Sequence, residues 1–316
     1  MKRCDPTTAV AGIDISKKRL DVALHETGEL FALGNDEAGF AELVARLRKA
    51  ACVRVGFEAT GGYERGLRAA LESAGFDIVM HQPLEIRLFA RLFRKKAKND
   101  RIDALTIAAA TARVEALKAA RDPLLVEMAE HMSFYEQVAA MLAQLKVFKS
   151  SLALAETSSA ASVEIDRLTR LKMKLAREMV ARIRARDDLA RRHRILMSLP
   201  GVGPLVALAL VVRMPELGAM RRGQAASLAG LCPFDRDSGA MRGVRFISGG
   251  RARPRRFVYI AALVAVRTDQ ASKAFAARLA ARGKKPKQIL VAVGRKIIEA
   301  ANLVLAQDRE WGPAKA

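Results

Sequence analysis

Cysteine is scarce in this 316-residue chain. Cys4, Cys52 and Cys232 are three in number and far apart. That argues against a disulfide framework and against a zinc site built on cysteines, and it fits a reducing compartment. Aromatic residues make up 5%, with a single tryptophan. Stacking on unpaired bases is therefore not the main mode of any nucleic-acid binding. No signal peptide is expected at the start of the chain. Long apolar runs are also lacking. The longest, "ILMSLPGVGPLVALALVV" at 195–212, reaches the length of a membrane span. Pro200, Gly201, Gly203 and Pro204 interrupt its first half, so it reads as two short helices joined by a turn, with no membrane partner. Acidic residues are few, 33 against 55 basic ones, and the net charge is +22. A chain this basic is expected to meet a polyanion, and nucleic acid is the usual one.

The charge is unevenly spread. Residues 1–115 hold 19 basic and 16 acidic side chains, a net +3. Residues 194–316 hold 22 and 7, a net +15. Most of the electrostatic footprint lies in the last third, while the first third keeps its acids.

Hydrophobic patterning divides the chain into three parts. Residues 1–122 read as β-β-β-α-β-α-β-α, the order of an RNase H-like, mixed α/β domain. A last helix in it is expected from Arg87 to about Thr111. Residues 123–194 read as a connector of long helices. Ile165, Leu168, Leu171, Leu175, Met179 and Ile183 form a coiled-coil-like seam, and "AETSSAAS" at 155–162 reads as the turn between two arms. The seam suits self-association and equally suits packing of the two arms on each other. Residues 195–316 read as mostly helical, with one long irregular stretch rich in glycine and arginine at 232–256, after which helices resume at "FVYIAALVAV". Loops of that length are usually functional or disordered.

Four acids stand out in the first part. Asp14 lies inside an apolar strand, "GIDIS", where a lone carboxylate is costly to bury. Glu58 ends the fourth strand, "VGFEATGG". Asp100 and Asp103 are three apart on a helix, so they share a face. Separately each has an ordinary reading as a surface ion pair or strand-end hydrogen bond. Together they suit Mg²⁺, whose charge lets acids coexist and polarises a phosphodiester.

The last part offers weaker signals. In "LPGVGP", Gly201 and Gly203 resemble the hairpin of helix-hairpin-helix modules, which present backbone N–H groups to phosphate; a plain helix turn fits as well. In "DRDSGAMRG", Ser238 lies among Arg236, Arg242 and Arg245. A serine can attack a phosphate where guanidinium groups offset the developing charge, but a serine before glycine is also an ordinary turn residue. Arg251, Arg255, Arg256, Lys284 and Lys285 extend the basic surface expected to contact nucleic acid.

Taken in order along the chain, "GIDIS", "FEATGGY", "KNDRIDA", "LPGVGP", "AGLCPFDRDSG", "GGRARPRR" and "RGKKPKQILVAVGRK" resemble the transposases of the insertion sequence one-ten type, with Piv-like DNA invertases as relatives. The resemblance spans nearly the whole chain. It departs at Asn99, where Thr or Ser is common, and at Phe234-Asp235, where Arg or Asn is common. It implies a RuvC-like domain whose Asp14, Glu58, Asp100 and Asp103 bind Mg²⁺. It also implies a serine nucleophile, by position Ser238, with Ser248 on the same stretch as the runner-up. It further implies recombination of double-stranded DNA, a structured bridge RNA as guide, and a cytoplasmic protein at the bacterial nucleoid. Strand exchange needs several active sites, hence a dimer or tetramer. The rival readings are a Holliday-junction nuclease without serine chemistry and a non-catalytic nucleic-acid-binding protein.

Overall fold

The computed structural model describes residues 9–93, 100–114, 122–234 and 246–312, with the side chains of Asp100 and Phe234 excepted. The chain forms two compact units, residues 1–120 and 121–316.

The first unit is built on a five-stranded sheet in the order β3-β2-β1-β4-β5. The strands are β1 (Ala9–Ile15), β2 (Arg19–Leu24), β3 (Leu30–Gly34), β4 (Cys52–Glu58) and β5 (Asp77–His81). β1, β2 and β3 are antiparallel neighbours, and β4 and β5 run parallel to β1. This order and sense are those of an RNase H-like sheet, as the sequence pattern implies. Alternation along the strands sorts the two faces. Ala11, Ile13 and Ile15 of β1 and Val55 and Phe57 of β4 join Leu43 and Leu47 of α1 (Glu37–Lys49) and Leu67 and Leu71 of α2 (Arg65–Ser73) in one core. Asp36 caps α1 by accepting from the Gly39 backbone nitrogen at 2.9 Å.

The other face is occupied differently. The single helix expected over 87–111 is two helices, α3 (Pro83–Leu92) and α4 (Asp100–Ala112). Phe93 leaves helical geometry at φ −92°, ψ 14°, just ahead of the like charges Arg94, Lys95 and Lys96. α4 lies against a row of residues with almost no side chain: Ala23, Gly12 and Gly56. A Cβ on Gly12 would collide with the backbone of Ala104 and Ala108, coming within 2.7 Å of the Ala108 Cα, and one on Gly56 would collide with the Thr111 side chain.

The second unit is helical. α5 (Pro123–Lys149) and α6 (Ala155–Arg184) pack along each other, burying Val138 and Leu142 against Leu168. The seam is thus used within one chain. "AETSSAAS" forms the first turns of α6, and the reversal lies just ahead of it. Thr157 and Ser162 donate back to Leu154 and Ser158 carbonyls, so these polar residues are satisfied in a helix. α7 (Asp187–Met197) and α8 (Pro204–Arg213) are the two short helices expected around the 195–212 run. Val206 to Val212 of α8 are all buried, at the centre of a core that also takes in Met128, Met132, Met179 and Ile183 from the long arms. Around it lie α9 (Gln224–Leu228), β6 (Pro233–Phe234), β7 (Phe246–Ile247), α10 (Ala252–Thr268), α11 (Gln270–Ala281) and α12 (Pro286–Ala306). α10 starts earlier than expected because Pro254 falls in its first turn, where a missing N–H costs nothing. Among the described residues no helix is long and apolar enough to cross a membrane.

The bare row under α4 generates a prediction. Gly12→Ala must move a helix backbone rather than a flexible side chain, and is expected to destabilise the first unit by about 3 kcal/mol, the upper range for overpacking. Gly61→Ala, whose Cβ would meet nothing within 4 Å, serves as the control. Urea unfolding midpoints of the two variants check this.

Candidate active site

The acids follow from the strand register. Asp14 stands two residues beyond Gly12 on β1, and Glu58 two beyond Gly56 on β4, so both share the face that carries α4. Gly12 pairs with Gly56 and Ile13 with Phe57, which places Asp14 and Glu58 at the same level on neighbouring strands. Both are half-buried.

Helix direction brings in the other pair. α4 runs against β4: Val114 lies by Arg54, and Thr111 by Gly56. Gly12 sits under Ala104 and Ala108. From Gly12 to Asp14 is about 6.6 Å of strand, which equals roughly four residues of helix rise. Stepping back that far from the Ala104–Ala108 contact reaches Asp100 and Asp103. Asp103 is half-buried there, while the side chain of Asp100, the first residue of α4, lies outside the described residues. Asp14, Glu58 and Asp103 all make polar interactions within the protein. Among the described residues no three metal-ligating side chains are gathered closely enough to hold an ion unaided.

The same level of the sheet holds groups that sequence reasoning missed. Asp21 of β2 pairs directly with Asp14 and is 6% exposed. Its Oδ1 accepts from Arg19 Nε at 3.2 Å and Nη2 at 2.7 Å, so a guanidinium offsets this fifth acid. The alternation "RLD" was its only signal. His81 of β5 pairs with Glu58 and is equally buried. Two loops beyond the acids are also fixed. Asn35 Nδ2 donates to the carbonyls of Ser16 (2.8 Å) and Tyr63 (3.2 Å), joining the ends of β1 and β4. Glu64 staples the loop after Glu58 by accepting from the Thr60 hydroxyl and from the Thr60 and Gly62 backbone nitrogens. Burial alone would raise the Glu64 carboxyl, but these hydrogen bonds outweigh it and hold it low.

In the second unit Ser238, Arg236, Arg242 and Arg245 lie outside the described residues. The stretch that contains them is held at its base. β6 and β7 pair antiparallel, Pro233 with Ile247 and Phe234 with Phe246. Below this ladder Gly230 and Gly250 touch backbone to backbone, both at positive φ, where only glycine fits. Arg255 donates to the Gly230 and Gly249 carbonyls, each at 3.1 Å. Arg251 binds Glu216 through both terminal nitrogens, at 2.9 and 2.6 Å, and the Arg213 carbonyl at 2.8 Å. Two arginines expected to face nucleic acid are therefore engaged in the fold. Gly201 is likewise a packing residue: at φ +75° it lies against α10, where a Cβ would come within 2.7 Å of the Ala265 nitrogen. Gly203, Ser248, Arg256, Lys284 and Lys285 are exposed.

Comparison with known proteins decides the family. Residues 11–153 match the DEDD transposase model of the IS110 type, and residues 193–277 match the model for transposases of the IS116/IS110/IS902 family. The chain belongs to the IS110 family of transposases. Transposases cut and rejoin DNA strands, and this chain is an enzyme of that kind. It is 25% identical over 319 residues to the pilin gene-inverting protein of Moraxella bovis, covering 95% of this chain and 96% of that one. The IS900 42 kDa protein of Mycobacterium paratuberculosis is 32% identical over 140 residues, which span 40% of this transposase and only 34% of that protein. Among solved structures, T. thermophilus RuvC in complex with Holliday junction substrate aligns with 33% of this chain and 91% of its own, at 14% identity and a TM-score of 0.26. A score that low adds nothing to the strand order.

The two kinds of arginine separate by experiment. Arg255→Ala is expected to lower the thermal unfolding midpoint, because two carbonyls at a glycine-tight turn lose their donor. Arg256→Ala is expected to leave that midpoint unchanged and to weaken binding to duplex DNA, with a shallower salt dependence. Calorimetry and binding titrations at several salt concentrations read both.

Proposed function

We propose that this transposase recombines double-stranded DNA through a serine nucleophile and a carboxylate-held divalent metal, as its resemblance to the RuvC-like DEDD transposases implies. The observation that supports it most is the shared level of Asp14 and Glu58 on one sheet face, with α4 delivering Asp103 and the first residue Asp100 to that level. All four donors are carboxylates, the set that a hard cation such as Mg²⁺ takes. The ion would supply positive charge to the carboxylates and polarise the phosphodiester. The protein's own part is to hold the acids on rigid elements and to offset Asp21 by Arg19.

Ser238 is the assigned nucleophile. Its oxygen attacks phosphorus, its proton leaves, one phosphodiester P–O bond breaks, and the freed deoxyribose oxygen takes up a proton. The phosphoserine ester keeps the bond energy, so an incoming hydroxyl restores a phosphodiester without a nucleotide cofactor. The clamped base formed by β6, β7, Gly230, Gly250 and Arg255 suits a stretch that must present a nucleophile reproducibly. The net +15 of residues 194–316 supports backbone contacts to DNA. Sequence choice then falls to a structured guide RNA, as the resemblance implies, and strand exchange to a dimer or tetramer.

The test is a covalent adduct. On a recombining or nicked duplex with Mg²⁺, wild-type protein is expected to form a protein–DNA link that survives denaturation. Ser238→Ala, Asp14→Asn and Asp103→Asn should abolish it, and Ser248→Ala should retain it. If Ser238→Ala still cuts DNA with no adduct in any variant, a metal-activated water does the cutting and the protein acts as a resolvase-like nuclease. RNA copurifying with the protein, once sequenced, checks the guide: a transcript from the flank of its own element is expected.

A further inference from the structure

α4 rests on a smooth surface. Ala104 and Ala108 lie on Gly12 and Ala23, side chains too small to interlock along the helix axis. One residue of shift is about 1.5 Å. Metal ligands tolerate deviations of only about 0.2 Å. Beside the packing of Ile107 and Ala110 with Ile86, directional bonds hold α4 at its far end from the acids.

Three contacts meet there, all on the face of β4 and β5 that carries the acids. Arg54, 4% exposed, donates from Nη1 to the Val114 carbonyl at 2.7 Å, where the helix dipole favours a cation. The Thr111 side chain seats on Gly56, which has no room for a Cβ. His81 Nε2 lies 2.8 Å from Thr111 Oγ1. The direction of that last bond follows from the hydroxyl. Thr111 has one hydroxyl hydrogen and directs it at the Ile107 carbonyl, 2.7 Å away. Its oxygen therefore accepts, and His81 donates from Nε2. Both partners are buried, Thr111 at 0% and His81 at 6% exposure. His81 is also the strand neighbour of Glu58. One imidazole thus stands beside a proposed ligand on the sheet and grips the helix that carries two others.

We infer that the His81–Thr111 hydrogen bond is a positioning device for the carboxylates, setting where along the sheet α4 comes to rest and hence where Asp100 and Asp103 stand against Asp14 and Glu58. This inference rests on the metal reading proposed above. His81 and Thr111 are positioning residues, since neither is assigned to touch metal or DNA. Thr111→Val keeps the shape and removes the acceptor, and His81→Leu removes the donor. Thr111→Ser and His81→Gln keep a hydroxyl and an N–H donor.

The experiment is Mn²⁺ binding to the full-length protein without DNA, followed by electron paramagnetic resonance, with unfolding midpoints of the metal-free proteins read alongside. Wild type is expected to bind and Asp103→Asn to lose binding. Thr111→Val and His81→Leu should bind about tenfold more weakly or worse, the range for groups that orient ligands. Thr111→Ser should bind as wild type does. If Thr111→Val fails to fold, His81→Leu against His81→Gln decides. Wild-type Mn²⁺ affinity in Thr111→Val or in His81→Leu, with Asp103→Asn still defective, would overturn the positioning inference and leave the metal reading standing. Undiminished binding by Asp103→Asn would overturn the metal reading itself.

Discussion

Everything in the first unit depends on how closely a helix backbone can approach a sheet. Gly12 and Gly56 remove two side chains from adjacent strands, and α4 settles into the space. With larger residues there the helix would stand off by the depth of a side chain, and its acids would rise away from Asp14 and Glu58. The closeness also explains the alanines of α4. Ala104 and Ala108 face the glycine row because neither partner has room to spare. The side chains between α4 and the glycine row are small, and directional polar bonds add to the placement of the helix. That accounts for a buried arginine and a buried histidine at one end of the helix, in a domain whose opposite sheet face is packed with leucine, isoleucine and phenylalanine.

The second unit solves a different problem, which is to carry many positive charges without losing its fold. Part of the charge is engaged by specific acceptors. Arg251 meets Glu216, Arg213 and Arg253 meet Glu136 and the Ser133 hydroxyl, and Arg186 meets Asp122 and Asp188. The seven acids of residues 194–316 are too few to neutralise the rest. The excess lies in exposed residues such as Arg256, Lys284 and Lys285, where a phosphate backbone can replace the missing acids. Net charge measured the partner correctly. It could not tell which individual arginines were spent on the fold.

The parts of the fold legible in the sequence were those with a local period. Alternation marked the strands, and the spacing of three and four marked the arms. Asp14 was conspicuous because it interrupts an apolar strand. Asp21 was not, because "RLDVAL" alternates as any half-buried strand does, and only the register with β1 reveals that it faces Asp14. His81 and Thr111 are thirty residues apart and joined by a single bond, which no local pattern announces. The serine-rich start of α6 was misread for a related reason. Serine and threonine favour turns when their hydroxyls capture nearby backbone, yet the same hydroxyls are satisfied by carbonyls three or four residues back in a helix. Composition alone does not choose between those outcomes; packing of Leu168 on the same helix against α5 does.

The two sets of catalytic candidates rest on different described elements of the fold. Carboxylates that share a cation must be held before the ion arrives, since they repel one another without it. The proposed ligands accordingly sit on strands and a helix, with Arg19 offsetting the nearest extra charge. The proposed nucleophile, Ser238, falls between two described segments that pair with each other. The antiparallel pair at 233–234 and 246–247, the two touching glycines and the Arg255 bonds provide the fixed ends. In sequence, Arg236, Arg242 and Arg245 flank Ser238, so the stretch between those ends carries cations suited to a phosphate.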